Sequence, residues 1–176
     1  MSQKGEELSR EYREELTRKY REAVASHLGG EQLEAVGPFW RAGWLGGEGE
    51  EPGPLSIRGA LDARQVARGQ RLPPKFLLAA TKKRVHVFSY SVEFSGDLVG
   101  TPTVGEEVAS FARGDLRFFR QKRSMLLGLP SMLLGGPTEV VTLRVTRGEQ
   151  TEDVGIDVTK LDENPLAIEV YAALSQ

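Results

Sequence analysis

Acid–base or metal chemistry in this 176-residue chain would have to start from two histidines, His27 and His86, because cysteine is absent. That absence excludes disulfides, thiolate catalysis and Cys-ligated zinc or iron–sulfur centres. His27 falls beside Gly29 at the expected end of a helix, where a cation suits the helix dipole. His86 falls on an expected strand, on the face of Phe88 and Tyr90, which is the place of a packing or rim residue. The spacing of the two histidines supports no metal site. Asp153 and Asp157 stand four apart on one expected strand face, about 13 Å along a strand. That is too far for a retaining carboxylate pair, and a solvated face is the simpler expectation. No phosphate-cradling glycine loop, dinucleotide fingerprint, HExxH or GxSxG occurs. A non-enzymatic protein is expected, with no catalytic residue, metal ligand or cofactor assigned.

Charge is more informative. The chain carries a net −2, yet residues 58–84 hold eight bases against Asp62 alone, a net +7. Residues 113–123 carry a further +4, and residues 124–176 carry −5. An anion site, if one exists, is expected from Lys82, Lys83 and Arg84 with Arg64, Arg68 and Arg71. Each basic residue near an anionic surface contributes about 1 kcal/mol. The competing expectation is that these bases pair with the acidic loop at 46–51 and the acidic C-terminal half. Nucleic acid is not an expected partner, since no basic motif interleaved with stacking aromatics is present.

A tandem near-repeat, SMLLGLP then SMLLGGP, fills residues 124–137. Seven large apolar side chains there exceed what a small barrel buries easily, and Arg120, Lys122 and Arg123 stand just before them. The arm is expected to be a lid over the fold, a protein interface, or an apolar tip dipping into a membrane surface. As an interface it would use Leu126, Leu127, Leu133 and Leu134 against a second copy, or against the N-terminal helix around Leu16 and Tyr20. Its glycines and prolines favour short turns or a kinked hairpin over a long strand.

The elements that must position these residues follow from periodicity. Residues 6–28 predict a helix from Leu8, Tyr12, Leu16, Tyr20, Val24 and Leu28, with Glu6–Arg10, Glu14–Arg18 and Glu15–Lys19 as supporting pairs and Gly29-Gly30 as the stop. A four-residue row drifts about 40° per step on a 3.6-residue helix, so one flat partner cannot cover all of it. Leu33 to Trp44 predicts a bent strand, and residues 46–54 a polar loop. The stretch at 55–71 is ambiguous. Strands are expected at 75–81, 84–94, 107–112, 115–122, 139–147 and 151–159, with a Lys82-Lys83 turn, a loop at 95–106 and pairing of 107–112 with 115–122. The clean alternation of Val141, Leu143, Val145 and of Val154, Ile156, Val158 implies antiparallel sheets with one wet face. Asn164 and Pro165 then open a terminal helix with a Leu166, Val170, Leu174 stripe.

Seven antiparallel strands followed by one amphipathic helix resemble the bacterial pleckstrin-homology-like (PH-like) proteins of unknown function. The residues carrying the likeness are Leu72-Pro73, LLAATKKRVHVF (77–88), VASFARGDL (108–116) and DENPLAIEVYAAL (162–174). The resemblance implies a mainly β fold, a seven-stranded bent antiparallel barrel capped by a C-terminal helix over residues 31–176. An N-terminal helix over residues 1–30 is added to it, and residues 46–71 form an insert. It implies no catalytic residues. The expected role is a binding or assembly module for a protein partner or a homo-oligomer, with anionic lipid or a phosphate ligand as the alternative. No apolar run is long enough to span a membrane, and the charged first residues hold no secretory core, so a cytoplasmic location is expected.

Overall fold

In the computed structural model, residues 3–42, 72–96, 99–123, 125–126, 129–130 and 138–175 are described. Among the described side chains of helix α1 (Gln3–Ala25), burial begins at Leu16. Leu16, Tyr20 and Val24 are buried, as is Leu28 from the turn that follows, whereas residues 9–14 are exposed. The drift of the four-residue row is the reason: the stripe that meets the sheet at Leu16–Leu28 has rotated off it by Tyr12, which is 39% exposed. The expected Glu14–Arg18 pair does not form. Arg18 instead reaches Glu15 at 2.7 Å and Glu22 at 2.8 Å. Gly29 and Gly30 turn the chain at φ of 58° and 91°, a region that favours glycine.

Strands β1 (Leu33–Trp40), β2 (Lys75–Thr81), β3 (Arg84–Glu93) and β4 (Thr101–Ala112) form one antiparallel sheet in that order. β2 explains how the sheet is buried on both sides. Phe76, Leu78 and Ala80 enter a core facing the second sheet, while Leu77 and Ala79 enter another beneath α1. Its run KFLLAAT, apolar at consecutive positions, is what a strand covered on both faces requires. A 3₁₀ turn (Arg113–Asp115) leads to β5 (Leu116–Arg123). After the two-residue strands β6 (Met125–Leu126) and β7 (Leu129–Pro130), which pair with each other, come β8 (Thr138–Arg147) and β9 (Gln150–Ile156). The second antiparallel sheet has the order β5-β8-β9.

The sheets meet at one corner, where Arg41 bridges Ile156 and the Asp157 amide donates to the Trp40 carbonyl at 2.9 Å. They do not close into a barrel. Between them lies the larger core, with Phe39 stacked on Phe76 and Phe118 at centroid distances of 6.0 and 5.2 Å. Helix α2 (Val158–Glu163) and helix α3 (Pro165–Leu174) finish the chain. Asn164 caps α3 by accepting from the Leu166 and Ala167 amides at 3.0 and 3.3 Å. The expected stripe, Leu166, Val170 and Leu174, is buried with Ala167. β1 receives α3 at Gly37, where any Cβ would lie 2.6 Å from the Leu166 carbonyl oxygen.

Four expectations are corrected. Residues 101–106 are strand rather than loop, because β3 continues to Glu93 and supplies a partner as far as Thr101. Pro102 is tolerated there because β4 is an edge strand. β4 does not pair with β5: the 3₁₀ turn passes the chain from one sheet to the other, and β5 pairs with β8. The last strand stops at Ile156, because the Asp157 carboxylate accepts from the Lys160 amide at 3.1 Å and starts α2, which includes Val158. Two C-terminal helices therefore stand where one was expected. The first strand stops at Trp40; Trp44 and the stretches at 46–54 and 55–71 lie outside the described residues.

Candidate functional site

The turn between β2 and β3 is built to hold two lysines outward. The Thr81 hydroxyl oxygen accepts from the Arg84 amide at 3.0 Å, closing the turn, and the Lys83 carbonyl accepts from the Arg113 amide at 2.9 Å. Arg113 buttresses the same corner. Its guanidinium bonds the Glu34 carboxylate, the Thr81 carbonyl at 2.8 Å and the Ala173 carbonyl at 3.0 Å, tying β1, β2 and the end of α3 together. The Lys82 and Lys83 side chains are exposed and make no hydrogen bond or ion pair among the described residues. Arg84, also exposed, is held by the Ser110 hydroxyl at 2.8 Å. Arg64, Arg68 and Arg71, expected beside them, lie outside the described residues. What the structure brings next to the lysine turn instead is Arg113, with a hollow of about 260 Å³ lined by Arg113, Gly114, Leu116, Arg117, Ala173 and Leu174.

Other bases have acidic partners. Arg120 spans Glu139 and Asp162, each at 2.7 Å, and Arg144 grips Asp153 with two bonds of 2.7 and 2.8 Å. The hydrogen bond from Arg120 holds the Glu139 carboxyl below its usual range, and that from Arg144 does the same for Asp153. Asp153 is thus paired and Asp157 is a helix cap, so neither acts as the other's carboxylate partner.

Leu16 and Tyr20 both lie in the core beneath α1, with Tyr20 edge-on to Tyr90 at 6.4 Å. Burial pushes the Tyr20 phenol up to about 12. Leu126 belongs to the two-residue ladder β6–β7, whose pairing fits a kinked hairpin at the start of the arm. Leu127, Leu133 and Leu134 lie outside the described residues. Large apolar side chains exposed among the described residues are Tyr12, Phe94 and Ile168.

One cluster escaped the sequence. His86 is 7% exposed, its Nδ1 is 2.9 Å from Glu107 Oε1, and its Nε2 is 3.7 Å from Glu31 Oε2. Glu31 also accepts from the Thr81 hydroxyl at 2.7 Å. A bulge in β4 makes this cluster. His86 opposes Ser110 and Val87 opposes Ala109, but Phe88 then opposes Glu107, skipping Val108. The skip turns Glu107 onto the His86 face. The sequence carries no signal for it, since β-bulges follow from pairing between distant strands. Among the described residues no three His, Cys, Asp or Glu side chains are grouped to hold a metal ion. No described helix is long and apolar enough to cross a membrane. Compared with known proteins, the chain matches no family model, no curated protein and no solved structure.

Proposed function

We propose that this chain is a non-catalytic PH-like module that works by assembly, binding a protein partner or a second copy through α1 and the Met/Leu-rich arm at 124–137. The observation that carries the reading is the split character of α1. Leu16, Tyr20, Val24 and Leu28 of its apolar row seal a core, whereas residues 9–14, Tyr12 among them, stand in solvent. The arm supports it from the other sheet. β5 and β8 stay in register as far as Arg123 opposite Thr138, so the arm's seven large apolar residues are inserted at the end of a regular ladder. Patches of several hundred Å² of apolar surface generally serve contact. The PH-like part of the reading is supported by four-plus-three antiparallel strands, the β1–β9 corner and a C-terminal helix packed against β1.

Sedimentation at several concentrations tests the proposal. Replacing Leu126, Leu127, Leu133 and Leu134 with Ser should convert an oligomer to a monomer. A wild-type monomer whose melting temperature is untouched by those changes would refute it.

A second reading, anion binding, is favoured by Lys82 and Lys83 on their buttressed turn, whose side chains have no partner among the described residues. It predicts flotation with anionic but not neutral liposomes, weakened by added salt and by Lys82→Glu with Lys83→Glu. Binding indifferent to both changes would remove it.

A further inference from the structure

We propose that His86 is a proton-operated clasp on the corner where α1 joins the sheet, closing onto Glu31 when its Nε2 takes up a proton from solvent. The argument begins with hydrogen bonding. A carboxylate only accepts, so the 2.9 Å contact with Glu107 places the proton of neutral His86 on Nδ1. Nε2 is then a bare lone pair. It is buried and has no hydrogen-bond partner among the described residues, of which the nearest carboxylate oxygen, on Glu31, stands 3.7 Å away. Two electron-rich atoms thus face each other, the nitrogen buried and the carboxylate reaching in from a partly exposed side chain. A proton on Nε2 turns that contact into a charge-assisted hydrogen bond and satisfies the one unpaired polar atom of the ring. The imidazolium would then lie between two carboxylates contributed by different parts of the chain.

The consequence falls on the corner because of where Glu31 sits. It follows Gly29 and Gly30, its amide donates to the Leu28 carbonyl at 3.0 Å, and Leu28 is the last buried residue of the α1 row. The Thr81 hydroxyl already ties Glu31 to the end of β2 and keeps its carboxyl below the usual range, so Glu31 supplies the anion that the clasp needs. The clasp therefore adds a bond from β3 to a corner so far held by β2. Among the described residues, the charged groups around His86 are Glu31 beyond α1, Glu107 on β4, and Arg84 on its own strand. β2 contributes only the Thr81 hydroxyl. His27, in the turn after α1, approaches through Phe88: its ring meets Phe88 edge-on at 5.6 Å, and His86 stacks on Phe88 at 6.1 Å. His27 is exposed and touches neither carboxylate in the cluster, so it is the control.

Because the folded corner gains a bond from the charged ring, its stabilisation is present while the ring holds both protons and is lost when pH rises and the ring gives one up. The test uses the full chain between pH 8 and pH 5. Ring nitrogen chemical shifts report directly whether Nε2 of His86 gains a proton and whether Nδ1 keeps its own. Amide exchange at residues 27 and 31, corrected for the intrinsic effect of pH, reports the corner, since both amides are hydrogen-bonded there. Their protection should rise about fivefold on acidification, the scale of a half-exposed ion pair. Glu31→Gln should abolish the rise, and His27→Gln should preserve it. The proposal is overturned if the His86 ring stays neutral down to pH 5. It is equally overturned if the ring titrates without changing protection, or if Glu31→Gln retains the full response. The ring shifts need no variant, so the first outcome can be read even if a substitution unfolds the protein.

Discussion

Gly37→Ala should destabilise this protein, although most considerations local to β1 favour alanine. Gly37 sits in a strand with no positive φ, so alanine can adopt its backbone, and the loss of freedom in the unfolded chain would stabilise by about 0.4–1 kcal/mol. Contact with α3 reverses the sign. The added Cβ would stand 2.6 Å from Leu166 O, 2.7 Å from Leu166 C and 2.8 Å from Ala167 N. All three are backbone atoms of the first turn of α3, which Asn164 caps, so no side chain can rotate away. Relief requires α3 to retreat by about 0.8 Å to reach ordinary contact distance, where the closely packed interior resists even such shifts. Leu166 belongs to the core under α1 and Ala167 to the core between the sheets, so the retreat loosens both. Overpacking of this kind costs about 1–3 kcal/mol, and the local gain offsets only part of it. Urea unfolding should show a lower midpoint with an unchanged slope, and the melting temperature should fall by about 2–4 °C per kcal/mol lost. Gly114→Ala is the control, because a Cβ there meets nothing within 4 Å. A Gly37→Ala protein as stable as wild type, or more so, would refute the argument that α3 rests on the bare backbone of β1.

Asn164→Ala removes the acceptor for two amides at the start of α3 and should cost about 0.5–2 kcal/mol by the same urea assay, whereas Asn164→Asp should retain most of that stability. Glu139 and Asp153 are held below the usual carboxylate range by their arginines. As pH falls through that range the unfolded chain takes up protons first, so their stabilisation is present at neutral pH and is lost in acid. Replacing Arg120 and Arg144 with Met should flatten that acid limb, and a limb of unchanged steepness would mean that the two pairs contribute nothing.

Much of the fold could be read from local pattern because burial imposes a period. Val141, Leu143 and Val145 alternate with polar residues since β8 buries one face, and KFLLAAT breaks alternation since β2 buries two. Asn164-Pro165 marked α3 because a helix start needs a side-chain acceptor and can spare one amide. The rest depended on neighbours. Asp157 reads as an outward strand residue until its carboxylate is seen capping α2, and residues 101–106 read as loop until β3 is seen to extend beside them. The candidate sites divide the same way. Lys82-Lys83 was legible as a tight basic turn, whereas its buttress joins Arg113 to Glu34, Thr81 and Ala173, residues separated by up to 79 positions. His86 was visible as a residue and opaque as a site. Glu107 reaches it only through a bulge, and Glu31 only because α1 folds back over the sheet. The sequence by itself determined the segments that carry a burial period or a local cap, β2, β8 and the last helix among them, since such a pattern is written in a residue and its near neighbours. Tertiary structure alone decided which charges meet, because a meeting depends on strand register and helix docking, and those are settled by the packing of the whole chain.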